Sequence, residues 1–149
     1  MGSRYDGTAT EVRALNAFVA LERAAESVEA ATQAEIGRAS LTQSQFGVLE
    51  ALLHLGPLCA GDLAKKLLRS KGNLTLVLEN LEKAALIGRK RSGEDRRFVT
   101  VELTKKGRRL IAGMFPRHAA LIAKAFRALT AAEQEELRRL CRKLGKAQG

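Results

Sequence analysis

Apolar residues recur at helical spacing along most of the chain. Val12, Leu15, Phe18 and Val19 form a stripe with a period near 3.6, and Thr10 is placed to cap a helix beginning near Glu11. Eight alanines fall between Ala14 and Ala34. Small side chains let a second backbone come close, which predicts a packed helix that ends at Gly37. Leu41-Thr42-Gln43-Ser44-Gln45-Phe46 then combines a capping box, Thr42 with Gln45, and a hydrophobic staple, Leu41 with Phe46. Phe46, Leu49, Leu52 and Leu53 continue at helical spacing until Gly56-Pro57 stops the pattern.

Two shorter helices follow. One runs from Gly61 to Leu68 with Leu63, Ala64, Leu67 and Leu68 on one face. The other runs from Lys71 to about Lys83 with Leu74, Val77, Leu78 and Leu81 inward. Arg69-Ser70 makes the break between them, and Ser70 is a cap candidate. Lys71, Asn73, Thr75, Asn80 and Lys83 are left to face outward. Two short helices about a tight break are a helix-turn-helix pattern.

The period then changes. Leu86 to Arg91 leads into the turn residues Ser92-Gly93-Glu94-Asp95, and Phe98, Val99, Val101 and Leu103 are interleaved with Thr100 and Glu102. This predicts a hairpin with a charged tip, a wing that carries Arg side chains to a phosphate backbone or a narrow groove. Thr104 caps a long helix from Lys105 to about Leu129, expected to bend before Pro116. Thr130 with Glu133 opens a last helix carrying Leu137, Leu140 and Leu144, with Gly145 at its end.

The expected fold is mainly α, a winged helix-turn-helix with a two-stranded β wing. One domain of 149 residues accommodates it. Residues 41–104 are expected to form the winged helix-turn-helix lobe, and residues 8–37 and 105–146 to be dimerisation helices. The first helix and the last two bear more apolar surface than the winged core could cover, so an obligate homodimer is expected.

Charge narrows the partner. The chain has 26 Lys and Arg against 16 Asp and Glu, for a net +10. Residues 1–35 are net acidic, whereas residues 88–109 hold nine basic groups against three acidic ones. Such an excess in a short segment is an electrostatic footprint for phosphates, with counterion release supplying the energy. Other classes fall away. No stretch of 18 residues is free of charge, so no membrane span is expected. Residues 1–7 lack an apolar core for a secretory signal, and Asp6 breaks the myristoylation pattern. Cys59 and Cys141 offer neither a disulfide framework nor a zinc spacing, and His54 and His118 fall on separate helices. No His-Glu-x-x-His, Cys-x-x-Cys, Gly-x-Gly-x-x-Gly or phosphate-loop motif occurs. A reduced, cytoplasmic protein is expected, with no catalytic role, metal or cofactor.

Ser70-Lys71-Gly72-Asn73-Leu74-Thr75, Leu81-Glu82-Lys83, Asp95-Arg96-Arg97 and Leu103-Thr104-Lys105-Lys106-Gly107 together resemble the MarR (multiple antibiotic resistance regulator) family, from about Thr10 to Leu144. The resemblance implies a homodimeric transcription regulator, most often a repressor, on a pseudo-palindromic operator in double-stranded DNA. Residues 71–83 would be its recognition helix. Ser70, Lys71, Gly72, Asn73, Thr75, Leu76, Arg89, Arg91, Asp95, Arg96 and Arg97 would be its DNA-binding residues, with Arg97 in the minor groove and Asp95 holding it. Two positions depart from the family pattern. Leu76 replaces a frequent basic residue, and Ala85 replaces a common glycine, so that helix end must be satisfied differently.

The family often binds effectors in a crevice between the dimerisation and DNA-binding lobes. Phe18, His54, Phe115 and His118 are the candidates here. They suit a small aromatic, phenolic or carboxylate ligand, and they are equally suited to a core. Some relatives sense oxidants through a first-helix cysteine, but this chain has none before Cys59. The two thiols are therefore expected to be structural, with Cys141 packed at the dimer interface. A rival reading is a winged-helix interaction module whose basic face takes RNA or an acidic protein without sequence specificity.

Overall fold

In a computed structural model, the chain is described at Gly2 and over residues 4–67, 71–91 and 99–149. Helix α1 (Ala9–Arg38) opens at Thr8. The Thr8 hydroxyl accepts the Glu11 N–H at 3.2 Å, and the Glu11 carboxylate accepts the Thr8 N–H at 2.8 Å. The expected cap, Thr10, lies inside the helix. A capping box needs an acceptor three residues on, and Glu11 serves Thr8 whereas Arg13 cannot serve Thr10. The helix also passes through Gly37. Its end is set by Ser40, which takes a left-handed conformation at φ 57, and by the Leu41 N–H, which reaches the Ile36 carbonyl at 3.3 Å.

Helix α2 (Gln43–Leu55) opens with the capping box read from sequence, Gln45 N–H to Thr42 Oγ1 at 3.1 Å and Thr42 N–H to Gln45 Oε1 at 2.9 Å. Gly56, at φ 78, closes it. Strand β1 (Leu58–Cys59), helices α3 (Ala60–Leu67) and α4 (Lys71–Lys83), and strands β2 (Ile87–Arg91) and β3 (Val99–Leu103) follow. The sheet order is β1-β3-β2, antiparallel throughout, with Ile87 opposite Leu103, Arg91 opposite Val99 and Leu58 opposite Val101. The hairpin is the expected two-stranded wing, and β1 adds a short third strand on its inner edge.

Helix α5 (Lys105–Ala125) continues through Pro116, and one 3-10 turn (Phe126–Ala128) follows. Helix α6 (Ala131–Lys146) starts on the Thr130–Glu133 capping box and runs one residue beyond Gly145, its expected terminator. None of these helices is long and apolar enough to cross a membrane, among the described residues.

Two compact units result, Gln33–His118 and Met1–Thr32 with Ala119–Gly149. The first holds the core. Phe46, Leu49 and Leu52 of α2 meet Leu63 of α3, Leu78 and Leu81 of α4, Val101 of β3 and Ile111 of α5. These side chains are almost fully withdrawn from water, which is the main stabilising contribution to the unit. In the second unit no apolar side chain is buried among the described residues, and Leu15, Phe18, Leu21, Leu140 and Leu144 are exposed.

One joint fixes the end of α4 to the wing and to α5. The Leu86 N–H returns to the Leu81 carbonyl at 3.0 Å, which requires a left-handed residue at position 85. Ala85 supplies it at φ 58, so the helix end is closed in the way a glycine would close it, with a side chain under strain. Thr104 Oγ1 donates to the Ala85 carbonyl at 2.6 Å and accepts the Gly107 N–H at 3.0 Å. Lys106 Nζ donates to the Ala84 carbonyl at 3.0 Å. The Leu-Thr-x-x-Gly run is thus a clasp: its Thr caps α5 while it holds the end of α4.

Candidate nucleic-acid interface

Helix α4 owes its orientation to its inner face. Leu74, Leu78 and Leu81 are buried, and α4 packs on α2, α3 and β2. The 3.6-residue period then puts Thr75, Leu76, Glu79, Asn80 and Lys83 at the surface. Leu76 is 57% exposed, an unusual place for a large apolar side chain on a helix this well anchored. An anchored helix preceded by α3 across a short break can lie in a major groove, whose base edges include thymine methyls as well as donors and acceptors. The backbone of Lys71, Gly72 and Asn73 forms the first turn of α4. Ser70 lies outside the described residues.

Among the described residues, the wing carries its cations on β2. Arg89, Lys90 and Arg91 are all exposed. Alternation puts Arg89 and Arg91 on the face of Ile87 and Val101, and Lys90 on the other, opposite Thr100. Arg89 has a protein partner, its Nε donating to Glu82 Oε1 of α4 at 2.5 Å. The tip residues Asp95, Arg96 and Arg97 lie outside the described residues. Lys90, between the expected contacts Arg89 and Arg91, is equally exposed, and strand alternation gives it a separate face.

Of the expected effector residues, three come together. The His54 and Phe115 rings meet edge to face at a centroid distance of 4.5 Å, and Phe115 and His118 lie 5.8 Å apart. Phe46, not among the candidates, joins them with its ring 4.5 Å from His118. The His118 Nδ1 is buried with no hydrogen-bond partner among the described residues, an unsatisfied state that native interiors rarely leave without a reason. Next to this cluster, Arg117 Nε is held by Glu35 Oε2 at 3.0 Å. Phe18 belongs to the other unit, where it is 55% exposed.

That other unit has an open groove of about 590 Å³ lined by Ala17, Ala20, Leu21 and Ala24 of α1 and by Leu137 and Cys141 of α6. In the single chain Cys59 is half-buried, and Cys141 is exposed where it lines this groove. Among the described residues no cluster of His, Cys, Asp and Glu could hold a metal ion.

Comparison with known proteins agrees with this arrangement. Residues 41–99 match the MarR family model. The HTH-type transcriptional regulator MhqR of Bacillus subtilis (strain 168) is 32% identical over 133 residues, covering 89% of this chain and 92% of MhqR. A solved structure of Bordetella bronchiseptica BpsR, whose DNA binding is regulated by 6-hydroxynicotinic acid, aligns with a TM-score of 0.78 at 31% identity, covering 87% of this chain and 98% of that one. NadR in complex with 4-hydroxyphenylacetate shares the fold, with a TM-score of 0.78 at 23% identity over 98% of this chain and 99% of that one. MhqR is a transcriptional regulator and not an enzyme, and the chain belongs to the MarR family of winged-helix DNA-binding transcriptional regulators.

Proposed function

We propose that the protein is a cytoplasmic homodimeric repressor that binds a pseudo-palindromic operator and is released by a small aromatic acid. The observation that carries the dimer is the unit of Met1–Thr32 and Ala119–Gly149, which buries no apolar side chain among the described residues. Its groove and its exposed Phe18, Leu140 and Leu144 form the kind of apolar surface that monomers rarely leave in water. A second copy related by a two-fold axis covers the same patch on both chains. One α4 from each copy then reads one half-site, about one helical turn from the other, while the wings reach the flanking minor grooves. In this reading Ser70, Lys71, Gly72, Asn73, Thr75 and Leu76 approach bases and phosphates in the major groove. Arg91, Arg96 and Arg97 serve the wing, with Asp95 orienting Arg97.

The release step rests on the cluster of Phe46, His54, Phe115 and His118. Flat rings offer stacking to an aromatic ligand, and the unpartnered His118 nitrogen offers it a hydrogen bond. BpsR and NadR, the two relatives described above, respond to or bind hydroxylated aromatic acids, which supports the same ligand class here.

The test selects binding sites from a random duplex pool and measures sedimentation at micromolar concentration. The reading predicts a dimer and an inverted repeat with half-sites roughly ten base pairs apart. A panel of hydroxylated aromatic acids should then weaken binding to that repeat at least about tenfold. A folded monomer, or a pool that converges on no sequence, overturns it in favour of a polyanion-binding module.

A further inference from the structure

Arg89 is an exposed arginine in the basic strand of a DNA-binding protein, and the family resemblance makes it an expected DNA contact. Its surroundings point elsewhere. It lies on the sheet face that carries Ile87 and Val101, which are 2% and 1% exposed, so its stem leaves β2 along the edge of the core. Its head ends on Glu82 in the last turn of α4, Nε to Oε1 at 2.5 Å. The two side chains keep 37% and 38% of their surface in water. Seven residues separate them, so no local helical spacing creates the pair. It exists because the joint at Ala84–Leu86 folds β2 back beside α4. Thr104 and Lys106 fix the far side of that joint through the Ala85 and Ala84 carbonyls.

We propose that Arg89 acts in DNA recognition through Glu82, as the positioning residue that sets the wing strand against helix α4, and not as a phosphate contact of its own. A phosphate would have to draw the guanidinium from a carboxylate already in place, and that carboxylate would repel the phosphate. Held on Glu82, Arg89 instead fixes the angle between the helix that enters one groove and the strand whose Lys90 and Arg91 lead toward the next. That angle matters only when both elements engage a duplex of fixed geometry. The pair therefore affects operator binding more than binding to arbitrary DNA. This inference rests on the reading of α4 and the wing as the DNA-contacting elements.

The two roles differ in sign at Glu82. Removing an acidic group from a DNA-binding face tightens binding if its arginine partner is thereby freed for phosphates, and loosens specific binding if the pair is a strut. The experiment compares wild type with Glu82→Gln, Arg89→Gln, Arg89→Lys and the exchanged pair Glu82→Arg/Arg89→Glu. Each is measured on the selected operator and on scrambled duplex at several salt concentrations, with thermal unfolding to establish that each variant folds. Glu82→Gln and Arg89→Gln should each weaken operator binding about three- to tenfold, the range open to a well-formed surface pair. Scrambled duplex should change less than about twofold, and the dependence of affinity on salt should keep its slope. Arg89→Lys and the exchanged pair should recover most of the loss. The inference is overturned if Glu82→Gln tightens operator binding. It is equally overturned if Arg89→Gln weakens both duplexes alike and lowers the salt slope by about one charge. A wild-type protein that does not prefer its operator sinks the repressor reading first, a result distinct from either of these.

Discussion

Gly107 in the first turn of α5 lies directly against the backbone of Leu86. A Cβ at position 107 would overlap the Leu86 carbonyl oxygen and stand 2.8 Å from its carbonyl carbon. Both neighbours are backbone, and Leu86 is itself fixed by the Thr104 N–H, which its carbonyl accepts at 3.1 Å. A Gly→Ala change inside a helix ordinarily stabilises by about 1 kcal/mol. Here the sign reverses. Gly107→Ala should destabilise by about 3 kcal/mol, at the upper end of overpacking costs. Denaturant unfolding measures it, and an unchanged or raised midpoint would show that the clasp is loose.

Ala85 has the opposite arithmetic. Its φ of 58 places an L side chain in the left-handed region, which costs about 1–2 kcal/mol. Glycine at this position keeps the bond from the Leu86 N–H to the Leu81 carbonyl and removes most of that cost. Ala85→Gly should therefore stabilise the protein by about 1 kcal/mol net of the added freedom of the unfolded chain. A loss of stability in the same unfolding assay would contradict the assignment.

The Glu11 carboxyl is held below its ordinary value, first by the backbone N–H of Thr8 and then by its hydroxyl. A depressed carboxylate stabilises the fold above its unfolded pKa, and that contribution is lost as pH falls through the folded value. Glu136 behaves alike because Arg139 grips both its oxygens, at 2.8 and 2.6 Å. In an NMR titration, Thr8→Ala, which removes the hydroxyl and keeps the backbone N–H, should raise Glu11 only part of the way toward the ordinary range and leave Glu136 depressed. Thr10→Ala should move neither. A Glu11 that responds to Thr10 instead would restore the cap that the sequence pattern suggested.

Leu76 offers a test of the proposal that α4 reads bases. It is more than half exposed, so Leu76→Ala should cost less than about 0.5 kcal/mol of stability. On the operator it should cost about 1 kcal/mol, through lost contact with a thymine methyl. Replacing that thymine by uracil should reproduce the loss and leave none for the mutation to add. Thr75→Ala should instead relax the preference at one position of each half-site. Leu76→Ala without effect on any operator position would mean that this part of α4 stands clear of the DNA.

Local chemistry was legible wherever it is self-contained. The Thr42–Gln45 and Thr130–Glu133 boxes need only three-residue spacing, and both form as read. Features decided by distant residues were not legible. Gly37 and Gly145 look like helix ends, but α1 stops where Leu41 can reach the core, and α6 has nothing to stop it until Lys146. Strand β1 is two residues long and exists only because Val101 and Thr100 stand ready to pair with it. At the candidate site, the outward face of α4 followed from periodicity. The Arg89–Glu82 pair did not, because nothing in the residue types distinguishes an arginine facing DNA from one facing α4. The meeting of Phe46 with His118 likewise depends on how α2 and α5 pack.

The proposed role of α4 and the wing is to recognise a particular sequence, rather than polyanions at large. Its most direct measurement is the ratio of affinities for the protein's own upstream duplex and for a scrambled duplex of the same composition, at ~150 mM salt. A regulator of this kind should prefer its own site by at least about a thousandfold. Affinities that agree within a few-fold, and fall together as salt rises, would contradict it and leave only a basic surface that binds phosphates.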